Sequence, residues 1–179
     1  MTPKAITAFG SGAISSTKVL IVGGNDYSQN TGQPSVNIFD LSTGAFEQIA
    51  TLENECVSLV CGKITLTSSS PPGGRAILCT LGRTTSATPE KLRKTYVYYI
   101  SSGVFKREED WDFPSGKEDG IQYGHVISGT MYVRTGSGVF VFRDNGTSSD
   151  PSMHWTEVPE FAWPEGASAE FDLKYIQIP

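Results

Sequence analysis

The segment that decides the fold is TKVLIVGG (17–24), which is followed after a polar loop by SVNIFDLSTGAFEQIATL (35–52). Short apolar runs such as VLIV, rich in β-branched side chains and ended by Gly, are typical of buried strands. They are too short to be helices. STG (42–44) has the chemistry of a hairpin turn, because Gly reaches a positive φ without strain. The segment therefore predicts a strand, a loop, a second strand, a tight turn and a third strand that an aromatic residue opens.

The same order occurs twice more along the chain. The second unit contains GRAILCTLG (74–82) and TYVYYISSGVFKREEDW (95–111). The third contains GTMYVRTG (129–136), GVFVFRDN (138–145) and HWTEVPEF (154–161). Internal repetition at a period near 50 residues is the signature of a repeat architecture. It predicts three copies of one sheet unit.

Each unit has a matching aromatic residue after its hairpin turn. These residues are Phe46, Phe105 and Trp155, and we expect them to occupy equivalent core positions in three sheets. One more strand candidate precedes each unit, which brings the count to about four strands per unit. These candidates are ITAF (6–9), VSLV (57–60) or KITLTS (63–68), and YGHVIS (123–128).

The first unit resembles a kelch repeat, in which a strand ends in a double glycine and a second strand leads through a short turn to an aromatic. Gly23-Gly24 carries this resemblance, and the later units have Leu81-Gly82 and Thr135-Gly136 at that place. The resemblance implies an all-β fold of three four-stranded antiparallel kelch-like blades, that is, a partial or oligomer-completed β-propeller. We expect a single domain over 1–179, with units of roughly 1–52, 53–114 and 115–165 and a C-terminal strand at 169–179.

A second resemblance lies in the third unit. Ser148, Asp150, Ser152, His154 and Trp155 are spaced as in the Asp box of sialidase-type propellers, with Ser152 in place of its Gly and His154 in place of its Thr. In that family the box is a hairpin feature away from the active site. The resemblance therefore implies propeller architecture and not catalysis.

Three blades leave a ring open, because kelch propellers close with six or seven. An incomplete ring exposes one apolar sheet face and one edge strand. We therefore expect a protein partner or self-association, either as two copies in a six-bladed ring or as docking on other subunits. AEFDLKYIQIP (169–179) alternates apolar and polar residues and is the candidate strand for covering an edge.

Composition excludes several classes of protein. The chain has 179 residues, 38% of them hydrophobic, and a formal net charge of −5, which fits a folded soluble domain and argues against nucleic-acid binding. No apolar run approaches the length of a membrane-spanning helix. The N-terminal segment lacks a continuous apolar stretch after Lys4, so we expect no signal peptide and a cytoplasmic or virion-associated protein.

The chain has few residues of the types that most often act in catalysis or bind metals. Cys56, Cys61 and Cys79 match no zinc pattern, and we expect them to be buried free thiols in a reducing compartment. His125 and His154 are expected to be hydrogen-bonded strand residues. We therefore expect no metal, no cofactor and no catalytic residue, so that the protein is not an enzyme.

Three polar segments are candidate binding residues. Loops on rigid scaffolds are where binding groups gather. The acidic segment allows a solvated loop, a docking patch or a metal site, and opposite charges on one chain suit contacts between subunits. The candidates are Asn25, Asp26, Tyr27 and Asn30 in the first loop, Arg83, Lys91, Arg93 and Lys94 in a basic loop, and Glu108, Glu109, Asp110, Asp112, Glu118 and Asp119 in an acidic segment.

Two classes of function remain open. The first is a non-enzymatic structural or interaction module, such as a subunit of a virion or a tail complex. The second is a carbohydrate-binding or glycosidase-related propeller, which needs carboxylates and arginines that converge on one rim. The chain has six arginines, and no three of them stand at matching repeat positions.

Overall fold

The computed structural model describes residues 6–26, 31–67, 74–84, 91–119, 123–144 and 153–159. Within these ranges the chain forms β-strands and a short 3-10 helix (Glu109–Trp111), and the strands make four antiparallel sheets, none of them closed. The expected all-β class is confirmed. Among the described residues, no helix is long and apolar enough to cross a membrane.

Three of the sheets have four strands, each joined in sequence order, and each falls inside one of the three predicted units. A small rim sheet consists of β1 (Ile6–Thr7), β4 (Asn25–Asp26) and β5 (Thr31–Gly32). Sheet 1 consists of β2 (Gly10–Ala13), β3 (Lys18–Val22), β6 (Ser35–Asp40) and β7 (Ala45–Thr51). Sheet 2 consists of β8 (Val60–Thr65), β9 (Arg75–Thr80), β10 (Tyr96–Tyr99) and β11 (Val104–Arg107). Sheet 3 consists of β12 (Tyr123–Ile127), β13 (Thr130–Thr135), β14 (Gly138–Phe142) and β15 (Trp155–Glu157).

The first strand of sheet 1 is not the one predicted. ITAF (6–9) supplies only the two residues of β1, which pair with β4 in the rim sheet. The first strand is instead β2, whose sequence GSGA has low strand propensity. A Cβ at Gly12 would lie 2.6 Å from Cγ2 of Ile77 in sheet 2, so the glycine lets the two sheets approach closely.

Sheet 2 lies between the other two large sheets. Side chains alternate along its strands, so that Ile77 of β9 packs toward sheet 1 while Leu78 packs toward sheet 3. The same alternation sends Tyr96 and Val97 of β10 to opposite sides. Burial on both faces explains why these strands read as continuous apolar runs, as expected from the sequence.

Units 1 and 2 share a backbone geometry that their sequences only partly share. Gly23 and Gly24 have φ values of 63° and 112°, and Leu81 and Gly82 have 60° and 110°. Leu81 therefore adopts the left-handed conformation of the glycine that it replaces, which is strained for a branched side chain. Its side chain is fully buried, so packing compensates the strain.

The predicted turns are confirmed at both hairpins, where Gly44 and Gly103 each have a φ of 70°. In the basic loop, Lys91 forms a β-bridge with Arg83. Residues 85–90 of that loop, the Asp-box residues 148–152 and the expected C-terminal strand at 169–179 lie outside the described residues.

The expectation of three free thiols is wrong. Cys61 of β8 and Cys79 of β9 stand directly opposite each other and form a disulfide, with Cα atoms 4.1 Å apart. Cys56 is a free, buried cysteine. The spacing of 18 residues gave no sign of the pair, because only the register of β8 on β9 places the two side chains together.

The segment that joins sheet 2 to sheet 3 is part of the core. Phe113 is fully buried, and its ring centroid lies 5.0 Å from those of Phe140 and Trp155. Trp155 Nε1 donates a hydrogen bond of 2.9 Å to the carbonyl oxygen of Trp111. Trp111 and Phe113, which lie within the acidic segment, therefore hold sheets 2 and 3 together.

Candidate interaction surface

The face of sheet 1 that points away from sheet 2 is the main candidate surface, and we call it the open face. Strand register places on it ten side chains, none of which carries a formal charge. Exposure rises across the sheet, from Ile21, which is buried, through Phe39 to Phe46, which is 49% exposed. The residues of the open face are Ser11, Ala13, Val19, Ile21, Ser35, Asn37, Phe39, Phe46, Gln48 and Thr51.

An aromatic pair lies toward the outer edge of the open face. Phe46 stacks on Phe39 with ring centroids 4.6 Å apart, and the two residues are direct partners in β7 and β6. In sheet 2, Phe105 pairs with Tyr98 in the same way, and it packs in the core between sheets 1 and 2. Each aromatic of this kind thus points toward the preceding sheet.

The expectation that all three matching aromatics are core residues is wrong for Phe46. Trp155 is 3% exposed and Phe105 is half-buried, because sheets 2 and 1 respectively lie against them. No described sheet lies against the open face. The three residues therefore hold equivalent positions, but only the later two have a preceding sheet to cover them.

The far face of sheet 3 differs from the faces that meet another sheet. Residues that lie opposite each other on neighbouring strands form a row across each sheet, and the matching aromatics allow equivalent rows of the three sheets to be compared. The row next to that of the aromatic is Gly12–Leu20–Ile38 in sheet 1, Gly62–Leu78–Val97 in sheet 2 and His125–Tyr132–Val141 in sheet 3. In sheets 1 and 2 the first position is Gly, and a Cβ there would collide with Ile77 and Val126 of the next sheet. In sheet 3 the position holds an exposed His, which prevents the same close approach.

The first strands of the three sheets lie side by side and line a shallow groove. Its volume is about 330 Å³, and the described residues that line it carry no formal charge. Phe9 and Tyr123 contribute exposed aromatic rings, 41% and 45% exposed, and Ser11 and Ser58 contribute hydroxyl groups. A neutral ligand with both apolar and hydroxyl groups fits such a lining.

The first predicted binding loop is only partly described. Asn25 and Asp26 form β4, where they pair with β1 and β5, whereas Tyr27 and Asn30 lie outside the described residues. Asp26 is fully buried and Asn25 is partly buried. The two described residues are therefore placed as parts of the rim sheet and not as a displayed binding surface.

The acidic segment is divided between structural and exposed residues. Asp112 accepts two hydrogen bonds of 2.5 Å from Arg107 and one of 2.8 Å from the backbone N–H of Thr95. Glu108 accepts a hydrogen bond from the hydroxyl of Tyr99. Glu109 and Asp110 are exposed in the 3-10 helix.

The basic loop lies against the acidic segment of the same chain. Lys91 forms an ion pair with Asp119, and Arg93 Nη1 donates a hydrogen bond of 3.1 Å to the carbonyl oxygen of Phe113. Lys94 forms an ion pair with Glu53. Much of the opposite charge that we expected between subunits is therefore paired within the chain, while the side chain of Arg83 is exposed.

The two histidines occupy unlike places. His154 is fully buried, and its Nδ1 lies 3.0 Å from the carbonyl oxygen of Arg143, as expected for a hydrogen-bonded residue. His125 is exposed on β12. Among the described ranges, no three His, Cys, Asp or Glu side chains are grouped so as to hold a metal ion, and the absence of a metal stays a prediction.

Burial raises the pKa values of several weakly acidic side chains in the core. It raises the pKa of the Cys56 thiol from 9.0 to about 12 and that of Tyr96 from 10.0 to about 12. The pKa values of Tyr98 and Tyr99 are raised in the same direction, chiefly by burial. In each case the low-dielectric surroundings disfavour the charged form.

The protein is expected to lose stability as the pH rises from about 9 toward 12. Over this range the unfolded chain releases these protons while the folded chain retains them, so the free energy of unfolding falls. Urea unfolding at pH 8 and pH 10.5 measures the loss. Tyr96→Phe is the matched control, because it removes one titrating group and should reduce the slope. Equal stability at both pH values would contradict the expectation.

Comparison with known proteins gives no assignment. The chain matches no protein-family model, and no curated protein is similar to it.

Proposed function

We propose that this chain is a non-enzymatic structural and interaction module, a subunit of a larger protein assembly. In this proposal its three large sheets are kelch-like blades of a partial β-propeller that other subunits or a second copy complete. Three observations support the architecture: the sheets are four-stranded and antiparallel, they pack face to face in chain order, and their first strands lie side by side.

The observation that carries the proposal is the exposure of Phe46. Its equivalents Phe105 and Trp155 are covered by the preceding sheet, whereas Phe46 and its partner Phe39 are directed away from all described sheets. Exposed apolar surface of this kind marks interaction sites. A further sheet on the open face would give Phe46 the environment that the other two residues have.

The polar side chains that could act in catalysis are engaged in structural hydrogen bonds. Asp112 neutralises Arg107 and caps the backbone of Thr95, and His154 is buried against the backbone of Arg143. Groups held in this way are not presented to a substrate. We therefore propose no catalytic role for them.

The disulfide bears on the location of the protein. Bonds such as Cys61–Cys79 persist in oxidising surroundings, including the surfaces of virions, and are rare in the reducing cytosol. Of the two locations expected from the sequence, we propose the virion-associated one.

The proposal is tested by the mass of the native particle. The tagged chain, isolated gently from its native source, should have a mass above the 19.3 kDa of one copy. Phe46→Glu should release it as a monomer, because it places a charge in a desolvated contact. Val104→Glu is the matched control, because Val104 is similarly exposed at 48% but lies on β11 of sheet 2. A native mass of 19.3 kDa, or equal masses for both variants, would overturn the proposal.

The groove of the first strands favours a second candidate, carbohydrate binding. Phe9 and Tyr123 offer two aromatic faces, and Ser11 and Ser58 offer hydroxyl groups for hydrogen bonds. A glycan array with the wild-type chain and Tyr123→Ala tests it. Binding that Tyr123→Ala abolishes would support this candidate, and no binding by the wild type would reject it.

A further inference from the structure

We propose that residues 169–179 of this chain join sheet 1 as a fifth strand, antiparallel to β7 on its outer edge. The inference goes beyond the proposed function, since it concerns the edge of sheet 1 and not the open face. β7 is the last strand of its sheet, so no described strand pairs with its outer side. An edge strand presents unpaired backbone N–H and C=O groups, and an added strand satisfies them.

The hydrogen bonds of β6 show which backbone groups of β7 point outward. Gly23 N–H donates a hydrogen bond of 3.0 Å to the carbonyl oxygen of Ser35, so Ser35 directs its backbone groups toward β3. Backbone groups alternate in direction along a strand, so every second residue of β6 bonds β3 and the residues between them bond β7, among them the partner of Glu47. Glu47 therefore directs its backbone groups inward, whereas Phe46 and Gln48 direct theirs to the outer edge.

Length and charge distinguish β7 from the outer strands of the other two large sheets. β7 has seven residues, against four in β11 and three in β15. The residue that follows the matching aromatic is Glu47 in β7, Lys106 in β11 and Thr156 in β15. Lys106 forms an ion pair with Glu108, whereas Glu47 has no ion pair with another described residue. Of these three edges, β7 therefore offers the longest strand and an anion at its centre.

Charge also disfavours pairing of β7 with β7 of a second copy. An antiparallel register that uses the outward groups of both Phe46 and Gln48 sets each of them opposite the other in the second copy. The same register sets Glu47 opposite Glu47, and like charges directly opposite each other destabilise a strand pair. The strand that fits this edge therefore carries a cation at the position opposite Glu47.

The C-terminal segment supplies such a cation. Lys174 is the only Lys or Arg that follows the last described residue. Leu173 and Tyr175 stand on either side of it, and their side chains share one face of an extended strand. When Lys174 lies opposite Glu47 in an antiparallel pair, Tyr175 lies opposite Phe46, and the two rings form a cross-strand aromatic pair. The segment thus matches the edge in both charge and apolar contact.

The connection from sheet 3 is long enough for the same chain to supply the strand. The described chain leaves sheet 3 from β15, which is the outer strand of its sheet, as β7 is of sheet 1. Sheet 1 lies two sheets away, a distance of about 20 Å at the usual spacing of packed sheets. Residues 160–168 span up to about 30 Å when extended.

Amide hydrogen exchange of the purified full chain, followed by NMR, gives the first test. The N–H groups of Phe46 and Gln48 should exchange at least about tenfold more slowly than in a variant that ends at residue 168, because pairing protects them. Trp155 N–H, at the equivalent place on the edge of sheet 3, should exchange equally in both. Equal rates at Phe46 and Gln48, or a truncation that deprotects Trp155 instead, would overturn the inference.

A pair of charge variants gives the same test at full length. Lys174→Glu sets a like charge opposite Glu47 and should speed the exchange of Gln48 N–H by about threefold or more. Glu47→Lys combined with Lys174→Glu exchanges the two charges and should restore the wild-type rate. A double variant that exchanges as fast as Lys174→Glu alone would contradict the pairing of these two residues.

Engineered cysteines establish the register and the source of the strand. Glu47→Cys with Lys174→Cys should form a disulfide within one chain, because residues directly opposite each other bring their Cα atoms within bonding reach. Glu47→Cys with Glu170→Cys is the matched control and should form none, since Glu170 lies four residues away from the predicted partner. A bond that links two chains would show that a second copy supplies the strand and would overturn the inference, as would the absence of a bond under oxidising conditions.

The two proposals fail separately. A Gln48 amide that is unprotected in the purified chain, combined with a native particle heavier than 19.3 kDa, overturns the fifth strand and leaves the interaction module standing. A protected Gln48 amide combined with a native mass of 19.3 kDa overturns the interaction module and leaves the fifth strand standing.

Discussion

Trp155→Ala should lower the free energy of unfolding by about 3–5 kcal/mol, the usual loss for truncating a buried aromatic side chain. Trp155 is 3% exposed, packs against Phe113 and Phe142, and donates a hydrogen bond to the backbone of Trp111. Its removal leaves a cavity between sheets 2 and 3 and takes away one of the two hydrogen bonds that the carbonyl oxygen of Trp111 accepts, the other coming from the hydroxyl of Thr95. Urea unfolding of the dilute protein, where association does not contribute, measures the loss.

Phe46→Ala is the matched control, because Phe46 holds the equivalent position in sheet 1. It should cost less than about 3 kcal/mol, because half of the Phe46 side chain is already exposed and only its buried half and the aromatic pair with Phe39 are lost. Phe105→Ala should lie between the two, since Phe105 is half-buried. Equal losses at all three positions would mean that the three faces are equally covered, and would contradict the description of the open face.

Removal of the disulfide should lower the free energy of unfolding by about 3 kcal/mol, because a cross-link closing a loop of this size restricts the unfolded chain by that amount. The bond joins residues 18 positions apart in adjacent strands. The double variant Cys61→Ala with Cys79→Ala, unfolded by urea, measures the loss. It avoids leaving a single unpaired thiol that could form other bonds.

Alkylation of the unfolded chain is the control for the pairing itself. Without reductant, mass spectrometry should find one alkylated cysteine, Cys56, and after reduction it should find all three. Three alkylated residues without reductant would contradict the bond and remove the reason for a location outside the cytosol. The Cys56→Ala variant should keep the bond and report the contribution of Cys56 alone.

The candidate site could be predicted only in part. The sequence indicated that one sheet face and one edge would be uncovered, because the repeat count is too small for closure. It did not indicate which face, since Phe46 looks like Phe105 and Trp155 in every local respect. The difference between them is the presence of a preceding sheet, and that is a property of the packed molecule. For the same reason the charged segments looked like free patches, although Lys91 and Asp119 pair within the chain.

The sequence by itself determined the all-β class, the division into three sheet units and the hairpin turns at Gly44 and Gly103. Short apolar runs rich in β-branched side chains, together with Gly at the turns, are local signals that survive without tertiary context. Only the tertiary structure decided that GSGA is the first strand of sheet 1 and that Cys61 joins Cys79. Both features depend on contacts with residues from another part of the chain. A glycine strand is favoured because Ile77 presses against it, and a disulfide forms because strand register places two thiols opposite each other.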